Sequence, residues 1–303
     1  TDSAYRRIRL EKLMTLEELV KLCAEFDLSF DEYLNQSTRR ITFSYQPIAE
    51  QGFTFIDYIE YVERMTRKIK DANHKEMLYM ANDIPMYHLM NTPELASFKL
   101  FFWQKTILNF ESLRNTKFRL GMKDDRVNNA SRLMRDHYFK IPSIEIYSPE
   151  TIDITLKQIN YYWEAGIFES DEIASILCDR LYGLINHLRN QCELGFKFKK
   201  ELAIPEKNVL TPAYQVYYNE VLYTDTTILA ELDDERWSYT NNNGRNIMST
   251  RDAHYFDQQK QQFDILKSKS TLISGDSEKE RNRVFKIYER KVTLHKGKFE
   301  NLI

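Results

Sequence analysis

Segments of helical period give way along the chain to segments of strand period, and the first 35 residues hold three short stretches of the helical kind. "TLEELVKLCAEFD" opens with Thr15 answered by Glu18, a capping box, and carries Leu16, Leu19, Val20, Leu22, Cys23 and Phe26 at helical spacing. Before it, Thr1 is suited to cap a helix over residues 2–10, with Ala4, Tyr5 and Ile8 on one face and Ser3 and Arg6 pointing away. After it, "LSFDEYL" repeats the box with Ser29 and Glu32, and Leu28 and Tyr33 stand where a hydrophobic staple falls. So short a first helix is not stable alone in water, and the three are expected to share one core.

Further on, Ile41, Phe43 and Tyr45 alternate and predict a strand before Pro47. "FTFIDYIEYVERMTRKIKDA" predicts a helix in which Phe55, Val62 and Ile69 lie seven apart, either a core face or a brief dimer seam. "EMLYMAN" predicts a second strand, beside residues 40–46. "TPELASFKLFFWQKTILNF" is apolar nearly all round, the mark of a buried helix, and points to the centre of the larger domain. "SPETIDITLKQINYYWEAGIF" and "SDEIASILCDRLYGLINHLRNQC" read as an αα-hairpin, each helix with an N-cap serine. From about residue 206 the texture turns aromatic and β-branched. "YQVYYNEVLY", "TTILAELDD" and "ERWSYTNN" predict strands, with a hairpin signal at Asn243-Gly244. Helices follow over 251–268 and 277–296, the second opened by Ser277 and Glu280.

The stretch "TDSAYRRIRLEKLMTLEELVKLCAEFDLSFDEYL" resembles the second half of the Cro/C1-type (XRE-like) helix-turn-helix domain of bacterial transcription regulators. It departs from that pattern at Leu10-Glu11, where an Arg-Gly ending is usual, and the family's first two helices are not in this sequence. The resemblance implies that Thr1 caps a recognition helix, that Thr1, Asp2, Ser3 and Arg6 face base edges, and that Arg7, Arg9 and Lys12 hold phosphates. It also implies double-stranded DNA as partner, a homodimer, and a C-terminal region that dimerises or senses a small-molecule or protein effector. The Phe55/Val62/Ile69 stripe and the aromatics of 213–223 are the candidate dimer surfaces. The domains expected are a partial helix-turn-helix head (1–35), a linker (36–52), a helical regulatory or dimerisation domain (53–205) and an α+β module (206–303), separate from or continuous with the preceding domain. The fold class expected is thus mainly α, with antiparallel β-hairpins and flanking helices at the C-terminus. A rival reading makes the head a docking module for a protein partner.

Composition narrows these options only slightly. A net charge of −2 gives no global basic field, and residues 1–46 hold seven Lys/Arg against eight Asp/Glu, so a basic footprint is confined to residues 6–12. The three cysteines lack metal-ligand spacing, as expected of idle thiols in the cytoplasm. No apolar run reaches the ~20 residues of a membrane span. The six histidines are scattered, with no H-E-x-x-H pair, and no nucleophile elbow or phosphate loop occurs, so neither metal, cofactor nor enzymatic activity is expected. "STLISGDSEKER" offers a candidate anion site through Ser274, Gly275, Ser277 and Arg281, which an ordinary capped helix explains equally well.

Overall fold

A computed structural model describes residues 2–26, 40–80, 82–122, 124–200, 206, 208, 211–221, 226–242 and 246–300. The chain divides into two compact units, Thr1–Phe43 and Ser44–Ile303. The first contains α1 (Asp2–Ile8) and α2 (Leu16–Phe26). The capping box forms as its sequence suggests: the Thr15 N–H donates to Glu18 Oε2 over 3.1 Å, and the Glu18 N–H donates to Thr15 Oγ1 over 3.3 Å. Leu10, at φ 62°, takes the left-handed turn between the helices. Thr1 and the helix expected around 28–35 lie outside the described residues.

The second unit runs α3 (Phe55–Asp71), β1 (Lys75–Met80), α4 (Met86–Leu89), α5 (Pro93–Phe102), α6 (Asp125–Tyr138), β2 (Ser143–Tyr147), α7 (Asp153–Glu164), α8 (Glu172–Leu194) and β3 (Tyr214–Tyr218). It continues with β4 (Thr227–Leu232), β5 (Glu235–Asn242), β6 (Asn246–Thr250), α9 (Ala253–Ser268), β7 (Thr271–Leu272) and α10 (Glu278–Glu300). All seven strands join one sheet, in the order β6-β5-β4-β1-β2-β3-β7. At its centre β1, β2 and β3 are parallel, and β4, β5 and β6 add antiparallel beyond β1.

The architecture is helix-rich with strands, as expected, and departs from the expectation in the middle region. The middle of the chain is not purely helical, because β1 and β2 come from it and form the sheet's centre with strands from beyond residue 205. The structure is a mixed α/β layer fold. β1 pairs with β2 and β4, not with residues 40–46, where Ser44 alone bridges to Ser249. The αα-hairpin helices form, but their serine caps do not. Ile152 and Asp171 occupy the cap positions, while the Ser148 hydroxyl accepts from the Glu150 N–H. Glu280 pairs with Arg283.

The sheet's alternation assigns its layers. On one face, Met77 and Tyr79 of β1 with Ile228, Ala230 and Leu232 of β4 pack with residues of α3 and α6, and Tyr147, Tyr214 and Val216 pack with α8 and α10. On the other, Leu78, Met80, Ile146 and Leu229 meet Phe256 and Phe263 of α9. Helix α5 explains its own composition: Phe98, Phe101 and Phe102 belong to the core with α8 and α10 and Leu100 to the core with α3 and α6, so apolar side chains are buried on more than one side. The 55/62/69 stripe is likewise internal, with Phe55 and Ile69 buried and Val62 packed against the same core. It is a core face, not a free dimer seam.

Candidate functional site

The basic residues at the end of α1 are not equivalent. Arg6 and Arg9 stand more than half exposed, loosely paired with Glu11 at 3.7 and 3.4 Å. Lys12 is exposed in the following turn. Arg7 is different: its side chain is 17% exposed and its guanidinium binds Glu18 of α2, through Nε at 3.2 Å and through Nη2. The Thr15 N–H, which outweighs the little desolvation, and the Arg7 guanidinium hold the Glu18 carboxyl below its ordinary range. Arg7 therefore ties the two helices together, and Arg6, Arg9 and Lys12 are the cations left facing outward. Asp2 and Ser3 open α1.

The shared core expected of this unit is not built among its described residues. Helix α2 buries none of its side chains, and Tyr5, Ile8, Leu13, Leu16, Val20 and Phe26 are all exposed. A groove of about 900 Å³ lies between α1 and α2, floored by Ala4, Ile8 and Leu22.

At the other candidate site, Ser274, Gly275, Ser277 and Arg281 do come together before α10. Arg281 is buried and directs Nη1 to the carbonyls of Gly275 (2.6 Å) and Ile273 (3.4 Å). The Ser274 hydroxyl accepts from the Val216 N–H at 3.1 Å, and Gly275, at φ 65°, donates its N–H to the Cys192 carbonyl. These contacts clamp the β7–α10 turn onto β3 and α8.

Sequence reasoning missed a buried polar centre on β2. Glu145 has no solvent exposure and is held by three donors: His88 Nε2 at 2.8 Å, the Tyr214 hydroxyl at 2.9 Å, and the Tyr138 hydroxyl. Lys197 closes the group from beyond α8, with Nζ donating to the Ile141 carbonyl at 2.7 Å and to the Ser143 hydroxyl. Burial by itself raises a carboxyl's pKa, but the His88 and Tyr138 hydrogen bonds and the charges of His88 and Lys197 override it and hold Glu145 down to about 2. Burial pushes the Lys197 ammonium down to about 7, against the pull of Glu145. Sealed and already saturated by partners, Glu145 is placed to lock β2 to α4, α6 and β3, not to touch a substrate.

The aromatic residues around α3 enclose a void of only about 30 Å³, lined by Tyr58, Tyr87 and Tyr239 among others, room for a single water. Among the described residues no group of three or more His, Cys, Asp or Glu side chains is placed to hold a metal ion. No helix among them is long and apolar enough to cross a membrane. Comparison with protein-family models, with curated proteins and with solved structures finds no match to this chain.

Proposed function

We propose that the chain is a DNA-binding transcription regulator of the cytoplasm, in which the first unit reads duplex DNA and residues 44–303 dimerise or sense an effector. The observation that carries this reading is the division of labour on α1. Arg7 ties the helix to α2, while Arg6, Arg9 and Lys12 present charge outward at one end. A helix held from behind with cations turned outward in front is suited to contact a groove and its phosphates. In the resembled family, the apolar residues now exposed on α1 and α2 are those that pack against two scaffold helices.

Fluorescence anisotropy with specific and random duplexes, across 50–300 mM salt, tests it. DNA binding through several phosphates weakens steeply with salt, by a slope of about −0.9 per phosphate neutralised. Equal affinity for every duplex rules out sequence reading.

The exposed Tyr5, Ile8, Leu16 and Val20 favour a second reading, in which the first unit docks a protein through the α1/α2 groove. Such an apolar interface is insensitive to the same salt range.

A further inference from the structure

Helix α6 carries two stripes of different chemistry. Val127, Ala130, Met134 and Tyr138 face the core. Asn128, Ser131, Arg132 and Arg135 form a stripe at the spacing i, i+3, i+4, i+7 on another side, with Ser131 and Arg135 buried and Asn128 and Arg132 exposed. It forms one wall of a cleft of about 780 Å³, whose other walls are the first turn of α5, Met90 at the end of α4, and the loop containing Leu120 and Met122.

Several groups around this cleft are left with unused hydrogen-bonding capacity. Ser131 lines it and is 4% exposed, yet its hydroxyl has no hydrogen-bond partner. Thr92, the N-cap residue of α5, is also buried and makes no side-chain cap, and its hydroxyl is unpartnered. Buried polar atoms are nearly always satisfied in folded proteins, so the unmet Ser131 hydroxyl on the cleft wall indicates a missing partner. The local charge indicates its sign. Arg132 and Arg135 line the cleft, and Lys199 and Arg180 stand behind it, paired to Asp136 and Glu94 at 2.8 Å each. Asp136 is shared by Arg135 at 2.9 Å and Arg132 at 3.7 Å as well as by Lys199, so two carboxylates answer four cations and the surroundings favour an anion. Met90, Leu120 and Met122 supply the apolar remainder of the lining.

We propose that this cleft binds a small carboxylic acid with an apolar body. Its carboxylate sits at the first turn of α5 between Ser131, Arg132 and Arg135, and its hydrocarbon lies against Met90, Leu120 and Met122. The positive end of the α5 dipole adds to the attraction. The site stands apart from any DNA reading by the first unit, and its test does not depend on that reading.

The probes are hexanoate, hexanol and inorganic phosphate, titrated into the full chain by calorimetry and followed by thermal shift. Hexanoate is expected to bind saturably and raise the Tm, with hexanol inert and phosphate weaker than hexanoate. Ser131→Ala and Arg132→Ala are each expected to weaken hexanoate roughly tenfold, the loss of one charge-assisted hydrogen bond. Arg132 is exposed, so R132A preserves the fold even if S131A does not. Failure of hexanoate to saturate up to 20 mM, equal binding of hexanol, phosphate binding more tightly, or unchanged affinity in R132A would each overturn the proposal.

Discussion

Lys197 holds its ammonium 3.7 Å from the centroid of the Tyr138 ring, while Tyr138 donates its hydroxyl to Glu145. The aromatic face thus lies between a buried cation and a buried anion, and contributes to both. The consequence is measurable as pH dependence. An unfolded lysine titrates near 10.5, whereas burial brings folded Lys197 to about 7. Between these values the unfolded chain binds a proton that the folded chain releases. Stability is therefore lower near pH 7 and rises as pH increases. Over pH 7–9.5, below the range where unfolded tyrosines ionise, the rise from this residue is on the order of 3 kcal/mol. Urea denaturation at stepped pH should show it, and Lys197→Met should flatten it.

His187 produces a second rise of the same sign at lower pH. Its ring lies against Phe198, with Nε2 2.8 Å from the Phe198 carbonyl, and burial pushes the imidazole down to about 4 despite that bond. The unfolded residue takes up its proton near 6.5. Stability from His187 is intact above pH 6.5 and is lost as pH falls towards 4, about 3 kcal/mol in all. His187→Gln should remove this rise and leave the alkaline one in place. A variant with the same acid slope as the parent assigns the slope elsewhere.

Phe98 should be the costliest single side chain to truncate. Its ring meets those of Tyr162, Phe118 and Phe168 at 5.5–5.9 Å, and it has no exposed surface. Phe98→Ala is expected to destabilise by ~3–5 kcal/mol. A fragment of residues 44–303 should unfold in a single cooperative transition that carries the same penalty, because the ring's partners all lie within that unit. A thermal melt of parent and variant fragments measures both.

The three arginines in and just after α1 should separate in a DNA-binding assay. Arg6→Ala is expected to relax specificity by ~1–3 kcal/mol between duplexes, if the side chain reads a base. Arg9→Ala should weaken every duplex alike and reduce the salt slope by about one. Arg7→Ala should act through the fold, lowering the helicity of residues 1–26 through loss of the Glu18 tie. Circular dichroism of the variants distinguishes it from the other two.

The segments with one clear period were readable in the residues: the helices over 16–26 and 55–71, the α5 run, β1 and the strands after 206 match the structure. The strand between β1 and β3 at the sheet's centre was not. "SIEIY" is short and places a carboxylate at its middle, so it does not read as a strand covered on both faces. What makes Glu145 tolerable there is His88 and Tyr214, each more than fifty residues away, together with Lys197. Pairwise satisfaction across such distances leaves no periodic trace. The cleft was hidden for a related reason. A Ser/Arg/Arg stripe on a helix ordinarily means a solvated face, and only the placement of α5 and residues 120–122 encloses it.

The position of β1 sets when this protein can become whole. Met77 needs Ser143 on one side and Ala230 on the other before its strand is paired along both edges. While the ribosome is still making the chain, β1 therefore waits with one edge open until β4 has emerged, an interval in which that edge is a template for pairing with another molecule. The first unit, Thr1–Phe43, is already made by then. A message broken between residues 43 and 227 would release a product with its head synthesised and its sheet unfinished, and such a product is a natural target for proteolysis rather than a shortened working form.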